Sequence, residues 1–314
     1  MVTIRMVGWL ANQMNQYAFG RVLALKRNEP LFLNIDTIYY AAKDSDLDVF
    51  NIAGEEATNK ERPWYLKLWK IEWIDKIWYV LAWFCKKLDP HYIIENPQHP
   101  RVYPGMFDYQ QVSVDKALNT KWDIYIEGFW HSEKYFKEYE DIIRKDFTLK
   151  KPIDDEKNLK VLEKINNSES VSIHVRRWDY AGTHYEGICD MEYYKRAIEY
   201  IQSKVTNPVF FVLSDDIDWC KENFKEYKIE EYVENGWKPR AKNLTVKGAS
   251  KHGADAYKNM ILMAACKHNI IANSTFSWRG ARLNPNPNKI IVAPKKWHAN
   301  LDYKDIVPEN WVRL

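Results

Sequence analysis

The chain has 314 residues, of which 46% are hydrophobic, 28% charged and 15% aromatic, with 14 Trp and 20 Tyr. That length exceeds the size at which one core usually stops growing, so two domains are expected. A formal net charge of +3 is too small for the clustered basic face that nucleic acid requires, and no apolar run is long enough to span a bilayer.

The N-terminus, MVTIRMV, lacks the apolar core of a signal peptide, so a cytoplasmic protein is expected. The cysteines, Cys85, Cys189, Cys220 and Cys266, are widely spaced and form neither a CxxC pair nor a disulfide framework. Residues 2–7 (VTIRMV) predict a strand, and a helix is predicted from near Asn12 through Gln16, Phe19 and Val22 towards Lys26. The run LFLN at 31–34 follows at βαβ spacing, so the first domain opens as a Rossmann-like sheet. In the intervening turn, VGWLANQ, only Gly8 offers backbone freedom.

Residues 63–87 set Trp64, Trp69, Trp73, Trp78 and Trp83 among lysines, with Trp69, Trp73 and Ile77 at helical spacing. Three readings compete for this predicted helix or helix pair: packing on the first domain, peripheral contact with a membrane surface, and a sugar-stacking surface for an acceptor. The charged, proline-containing stretch 148–158 marks a boundary, giving domains 1–153 and 154–314. Beyond it, VFFVL (209–213), HNIIA (268–272) and KIIVA (289–293) read as buried parallel strands separated by helices.

The most informative stretch is VSIHVRRWDY at 171–180. Val171, Ile173 and Val175 alternate with Ser172, His174 and Arg176, as in a strand with one apolar and one polar face, and Arg177 follows at its exit. Ligands of open parallel sheets gather beyond the carboxyl ends of the strands, and guanidinium forks match phosphate oxygens. A diphosphate is one reading and a surface ion pair with Asp179 is the other. Ser214, Asp215 and Asp216 follow VFFVL, where they can cap the next helix, contact a ribose or base, or, less naturally for adjacent aspartates, clamp a metal. Asn273, Ser274 and Thr275 repeat this pattern, as capping residues or as an anion site at a helix N-terminus. His174, Asp179, His184, Glu186 and Asp190 are the acid or base candidates.

Four ordered segments, VGWLANQMNQYAFGR, IHVRRWDY, VLSDD and CKHNIIANSTFSWRGARLN, resemble the motifs of the α-1,2-fucosyltransferases. The resemblance implies an α/β, GT-B-like fold of two Rossmann-type domains with parallel sheets facing a cleft. It further implies GDP-β-L-fucose as donor, inversion at the anomeric carbon, a β-galactoside acceptor, no required metal and no cofactor. Carried onto this chain, it has Arg176 and Arg177 hold the diphosphate and His174 and Asp179 shape that motif. Ser214, Asp215, Asn273, Ser274, Thr275 and Phe276 line the donor pocket, and Asn12 faces it. Trp178, Trp9 and Ala11 stand where the family has glycine, so strained or blocked turns are expected there. Asn259, Arg279 and Arg282 are further departures.

Overall fold

A computed structural model describes residues 1–35, 45–58, 60–63, 88–95, 108–234 and 256–314. The tryptophan-rich segment, from residue 64 to 87, lies outside the described residues, and Cys85 with it. The chain divides into two compact units, Met1–Lys150 and Lys151–Leu314. Among the described residues, no helix is long and apolar enough to cross a membrane.

The first unit contains β1 (Val2–Arg5), α1 (Leu10–Arg27), β2 (Leu31–Asn34), β3 (Glu55–Glu56), β4 (Tyr92–Ile94), α2 (Gln111–Asn119), β5 (Ile124–Glu127) and α3 (Glu140–Asp146). Its strands form one parallel sheet in the order β3-β2-β1-β5-β4. Val2, Thr3 and Ile4 are all buried, so β1 is covered on both faces, as the centre of a parallel sheet must be. Helix α1 ends at Asn28, which is left-handed (φ +52°) and donates its N–H to the carbonyls of Ala24 and Leu25, while Lys26 and Arg27 complement the negative end of the dipole.

The second unit contains α4 (Glu156–Asn166), β6 (Glu169–Val175), α5 (Met191–Lys204), β7 (Pro208–Ser214), α6 (Ile217–Asn223), β8 (Ile229–Glu234), α7 (Ala256–Ala265), β9 (His268–Ile270), α8 (Thr275–Leu283), β10 (Ile291–Ala293) and β11 (Val312–Arg313). Its parallel sheet runs β11-β10-β9-β6-β7-β8. Counted from β6 as the first strand, this is the 3-2-1-4-5-6 order of a Rossmann sheet. Both Rossmann-type units implied by the motif resemblance are therefore present.

One face of β6 (Val171, Ile173, Val175) packs with Tyr193, Tyr194, Ile198, Val212 and Phe224. The alternation in the sequence suggests a polar opposite face, but Ser172 and His174 are buried too. The cause is position: β6 sits between β9 and β7, and Phe211 and Leu213 of β7 carry the Val161, Ile165, Leu262 and Met263 layer over that side. Ser172 is satisfied there by accepting a hydrogen bond from Asn269 Nδ2 at 2.8 Å. Gly280 lets α8 approach α7, because a Cβ would stand 3.1 Å from the Met263 methyl carbon.

Candidate functional site

Strand order reverses at β6 and β9 in the second unit, and ligands of such sheets bind outside the carboxyl ends of the two strands at that point. The sequence-predicted residues converge there: Arg176 and Arg177 leave β6, and Asn273, Ser274 and Thr275 lie between β9 and α8. Ser214 ends the neighbouring strand β7, with Asp215 directly after it.

Asp215 organises the exit from β6. Its Oδ1 accepts the Arg177 N–H at 3.0 Å and its Oδ2 accepts the Trp178 N–H at 3.3 Å, while Arg176 Nε stands 3.5 Å from the same Oδ2. The carboxylate side chain is fully buried. Burial pushes its pKa upward, and Arg176 and the two backbone donors act against that rise. The residue read as a ribose or base contact is thus tied by both oxygens to the arginine turn.

The two guanidinium groups are held differently. Arg176 forms a fork with Asp179, Nε to Oδ1 and Nη2 to Oδ2, both at 2.7 Å. Arg177 donates Nε to Asp216 Oδ2 at 3.0 Å, and its guanidinium carbon stands over Trp219, 4.1 Å from the ring centroid. The ion pair with Asp179 therefore forms, and both arginines leave β6 at the same strand exit. Asp216 also caps α6 through the Trp219 N–H, and Ser214 Oγ accepts the Asp216 N–H at 2.9 Å.

Trp178 and Trp9 are not strained. Among the described non-glycine residues only Asn28, Trp130 and Asn207 have positive φ, and Trp9 is extended at φ −87°. The Trp178 backbone contributes only its N–H, and its indole is 45% exposed. Gly8 is the residue of the first turn that must be glycine, with φ +77° and a notional Cβ 2.5 Å from Asn12 Nδ2. Ala11 is an ordinary buried helix residue.

Ser274 begins α8 as its N-cap without a side-chain capping bond, so capping does not account for its hydroxyl. Asn273 is buried and clamps loops, donating Nδ2 to the carbonyls of Tyr185 and Trp297, both at 3.2 Å. Tyr180 donates its hydroxyl to the Asn273 carbonyl at 2.9 Å, joining the arginine turn to the β9 exit. His174 is fully buried, neither ring nitrogen has a hydrogen-bond partner, and its ring lies 5.7 Å from that of Phe276. Burial, aided by the Arg176 charge, pushes its pKa down to about 3, so the imidazole is neutral. His184 meets Asn300 at 3.2 Å, Glu186 accepts the Gly182 N–H, and Asp190 caps α5. Asn259, Arg279 and Arg282 are buried.

Asn12 belongs to the first unit, where the strand order reverses between β1 and β5. Its Oδ1 lies 3.1 Å from His131 Nε2, and Gln16 ties the two strand exits by accepting the Val7 N–H and donating to the Gly128 carbonyl. Buried Glu95 accepts the N–H groups of Phe129 at 2.6 Å and Trp130 at 2.9 Å. Its pKa is pushed up to about 7 by burial. The sequence reading singles out none of Glu95, Phe129, Trp130 or His131; the usable signal is Gly128 directly after a strand. Trp219 as a platform for Arg177 is likewise invisible without the fold. No group of three or more His, Cys, Asp or Glu side chains placed to hold a metal occurs among the described residues.

A Rossmann-type sheet with two guanidinium groups at its switch point is suited to a nucleotide-linked, anionic substrate. The glycosyl transferase family 11 model matches residues 106–314, and the chain belongs to that family. It is 31% identical to an alpha-1,2-colitosyltransferase of Escherichia coli, over 100% of this chain and 98% of the relative. It is 26% identical to the O-antigen biosynthesis glycosyltransferase WbnK of Escherichia coli over 98% of each chain. The human galactoside alpha-(1,2)-fucosyltransferase 1 is 27% identical over 50% of this chain and 42% of its own length. Among solved structures, the fucosyltransferase NodZ from Bradyrhizobium aligns over 89% of this chain and 91% of its own, with 12% identity and a TM-score of 0.48.

Proposed function

We propose that the protein is an inverting glycosyltransferase that moves L-fucose from GDP-β-L-fucose to the 2-hydroxyl of a terminal β-galactoside. The observation that carries this reading is the arginine turn, preorganised by Asp215 at the switch point of a Rossmann-order sheet. As the bond from the anomeric carbon to the phosphate oxygen breaks, GDP gains negative charge and the sugar becomes cation-like. Arg176 and Arg177 stabilise that change, which is larger in the transition state than in the bound donor. The acceptor oxygen forms its bond from the opposite face, and Asp179 takes its proton. Ser214, Asn273, Ser274, Thr275 and Phe276 shape the donor site, with Asn12 on the acceptor-side unit. His174, buried and neutral, supports the motif rather than moving a proton. In this reading the guanidinium groups stand in for a metal ion, so activity should survive EDTA.

The test is a coupled assay for GDP release with lactose, followed by product linkage analysis. Donor- and acceptor-dependent release with a new α-1,2 linkage is expected; hydrolysis alone, or no release with any β-galactoside, would overturn the reading. A second donor is favoured by the 31% identity to a colitosyltransferase along the whole chain. The same assay with the nucleotide-linked colitose donor distinguishes the two sugars by their kcat/KM.

A further inference from the structure

The geometry points to an exchange of anions at Arg176: the Asp179 carboxylate occupies the guanidinium fork that the donor's diphosphate takes over, and its release makes it the proton acceptor. This deepens the function proposed above and rests on it. The fork is a close match to the way guanidinium grips phosphate, two parallel N–H···O bonds at 2.7 Å. Asp179 therefore presents to Arg176 the same pair of oxygens that a phosphate group would.

Three features make the exchange feasible. The Asp179 side chain is 37% exposed, against 17% for Arg176, and reaches back only three residues, so its carboxylate is the solvent-side partner of the pair and can turn away into water. The backbone beneath it is fixed independently: the N–H groups of Tyr180 and Ala181 bond to the Arg177 carbonyl, and the Tyr180 hydroxyl is bonded across to Asn273. Release thus requires rotation of one side chain, with no rearrangement of the turn. Finally, Arg176 keeps a second counter-ion, because Asp215 is fully buried, anchored by two backbone donors and 3.5 Å from Nε. The guanidinium group stays in position while its outer partner changes.

A diphosphate carries more charge than one carboxylate, so it wins the fork when it is present. The displaced carboxylate remains beside the reacting centre without its cation, and there it accepts the proton of the attacking hydroxyl. The proton moves from acceptor oxygen to Asp179, the oxygen bonds to the anomeric carbon, and the electron pair of the broken bond leaves with GDP. Donor binding would thereby precede activation of the acceptor.

The exchange is tested by titrating wild type, Asp179→Asn and Asp179→Ala with GDP in a calorimeter at fixed ionic strength, with single-turnover transfer measured in parallel. Both variants should bind GDP about 3- to 10-fold more tightly, because the competing anion is gone, and transfer should fall at least 100-fold. Unchanged circular dichroism would show that the exposed substitutions leave the fold intact. GDP binding weakened in both variants overturns the exchange and makes Asp179 a support for Arg176. Transfer at the wild-type rate overturns its role as proton acceptor. If neither wild type nor variants bind GDP, the donor assignment itself fails, and the exchange fails with it.

Discussion

At position 178 a tryptophan replaces the glycine usual in this motif, and steric reasoning from sequence predicts a blocked or strained turn. The fold removes the strain because the turn uses the residue's N–H and not a left-handed backbone, as the bond to Asp215 shows. Trp178→Gly should therefore relieve nothing. It should lower stability by about 0.5 kcal/mol through the greater freedom of the unfolded chain, and GDP affinity should stay within about twofold; denaturant titration and calorimetry check both. A stability gain would mean that the indole strains the turn after all. The place of the arginines at the exit of β6 was legible, since an alternating strand runs up to them. The role of Asp215 was not, because it depends on register: Val175 pairs with Ser214, which sets the residue directly after β7 beside the turn after β6.

The two units secure a strand exit by the same device, a buried carboxylate that accepts consecutive backbone N–H groups. In the second unit it is Asp215; in the first it is Glu95, bonded to Phe129 and Trp130. Gly128 makes room for the latter, since a Cβ there would stand 2.4 Å from Glu95 Cβ and 2.8 Å from its Oε2. Gly128→Ala should cost about 2 kcal/mol or more, because the neighbour is a side chain pinned at its far end. Chemical denaturation measures this, and a loss below about 0.5 kcal/mol would show that Glu95 can move aside. The strands are well marked in sequence by short apolar runs, with LFLN at 31–34 found to the residue. Their exits are poorly marked, because a glycine after a strand gives no indication of which distant carboxylate it accommodates.

The whole chain was read as two α/β units, and two parallel sheets are present. Sequence periodicity sufficed for this because buried parallel strands and amphipathic helices alternate in both halves. Two buried groups, one in each unit, respond to pH in opposite directions. Buried His174 must gain a proton on unfolding below its ordinary pKa near 6.5, so its contribution is present above that pH and is lost as pH falls towards 3. Glu95, raised from 4.5 to about 7, behaves in reverse: its contribution is present below pH 4.5 and is lost as pH rises through 7. His174→Gln should flatten the acid limb of the stability profile and Glu95→Gln the neutral one, each by on the order of a few kcal/mol; denaturant titrations from pH 4 to 8 measure both. An unchanged slope in either variant would show that the group does not titrate as its burial dictates. The anchoring of the arginine turn through main-chain atoms sets what the sequence can vary there. Both bonds to Asp215 come from main-chain N–H groups, so any side chain but that of proline at 178 leaves the turn anchored, and this position is free to change in sequence while the arginine geometry is kept.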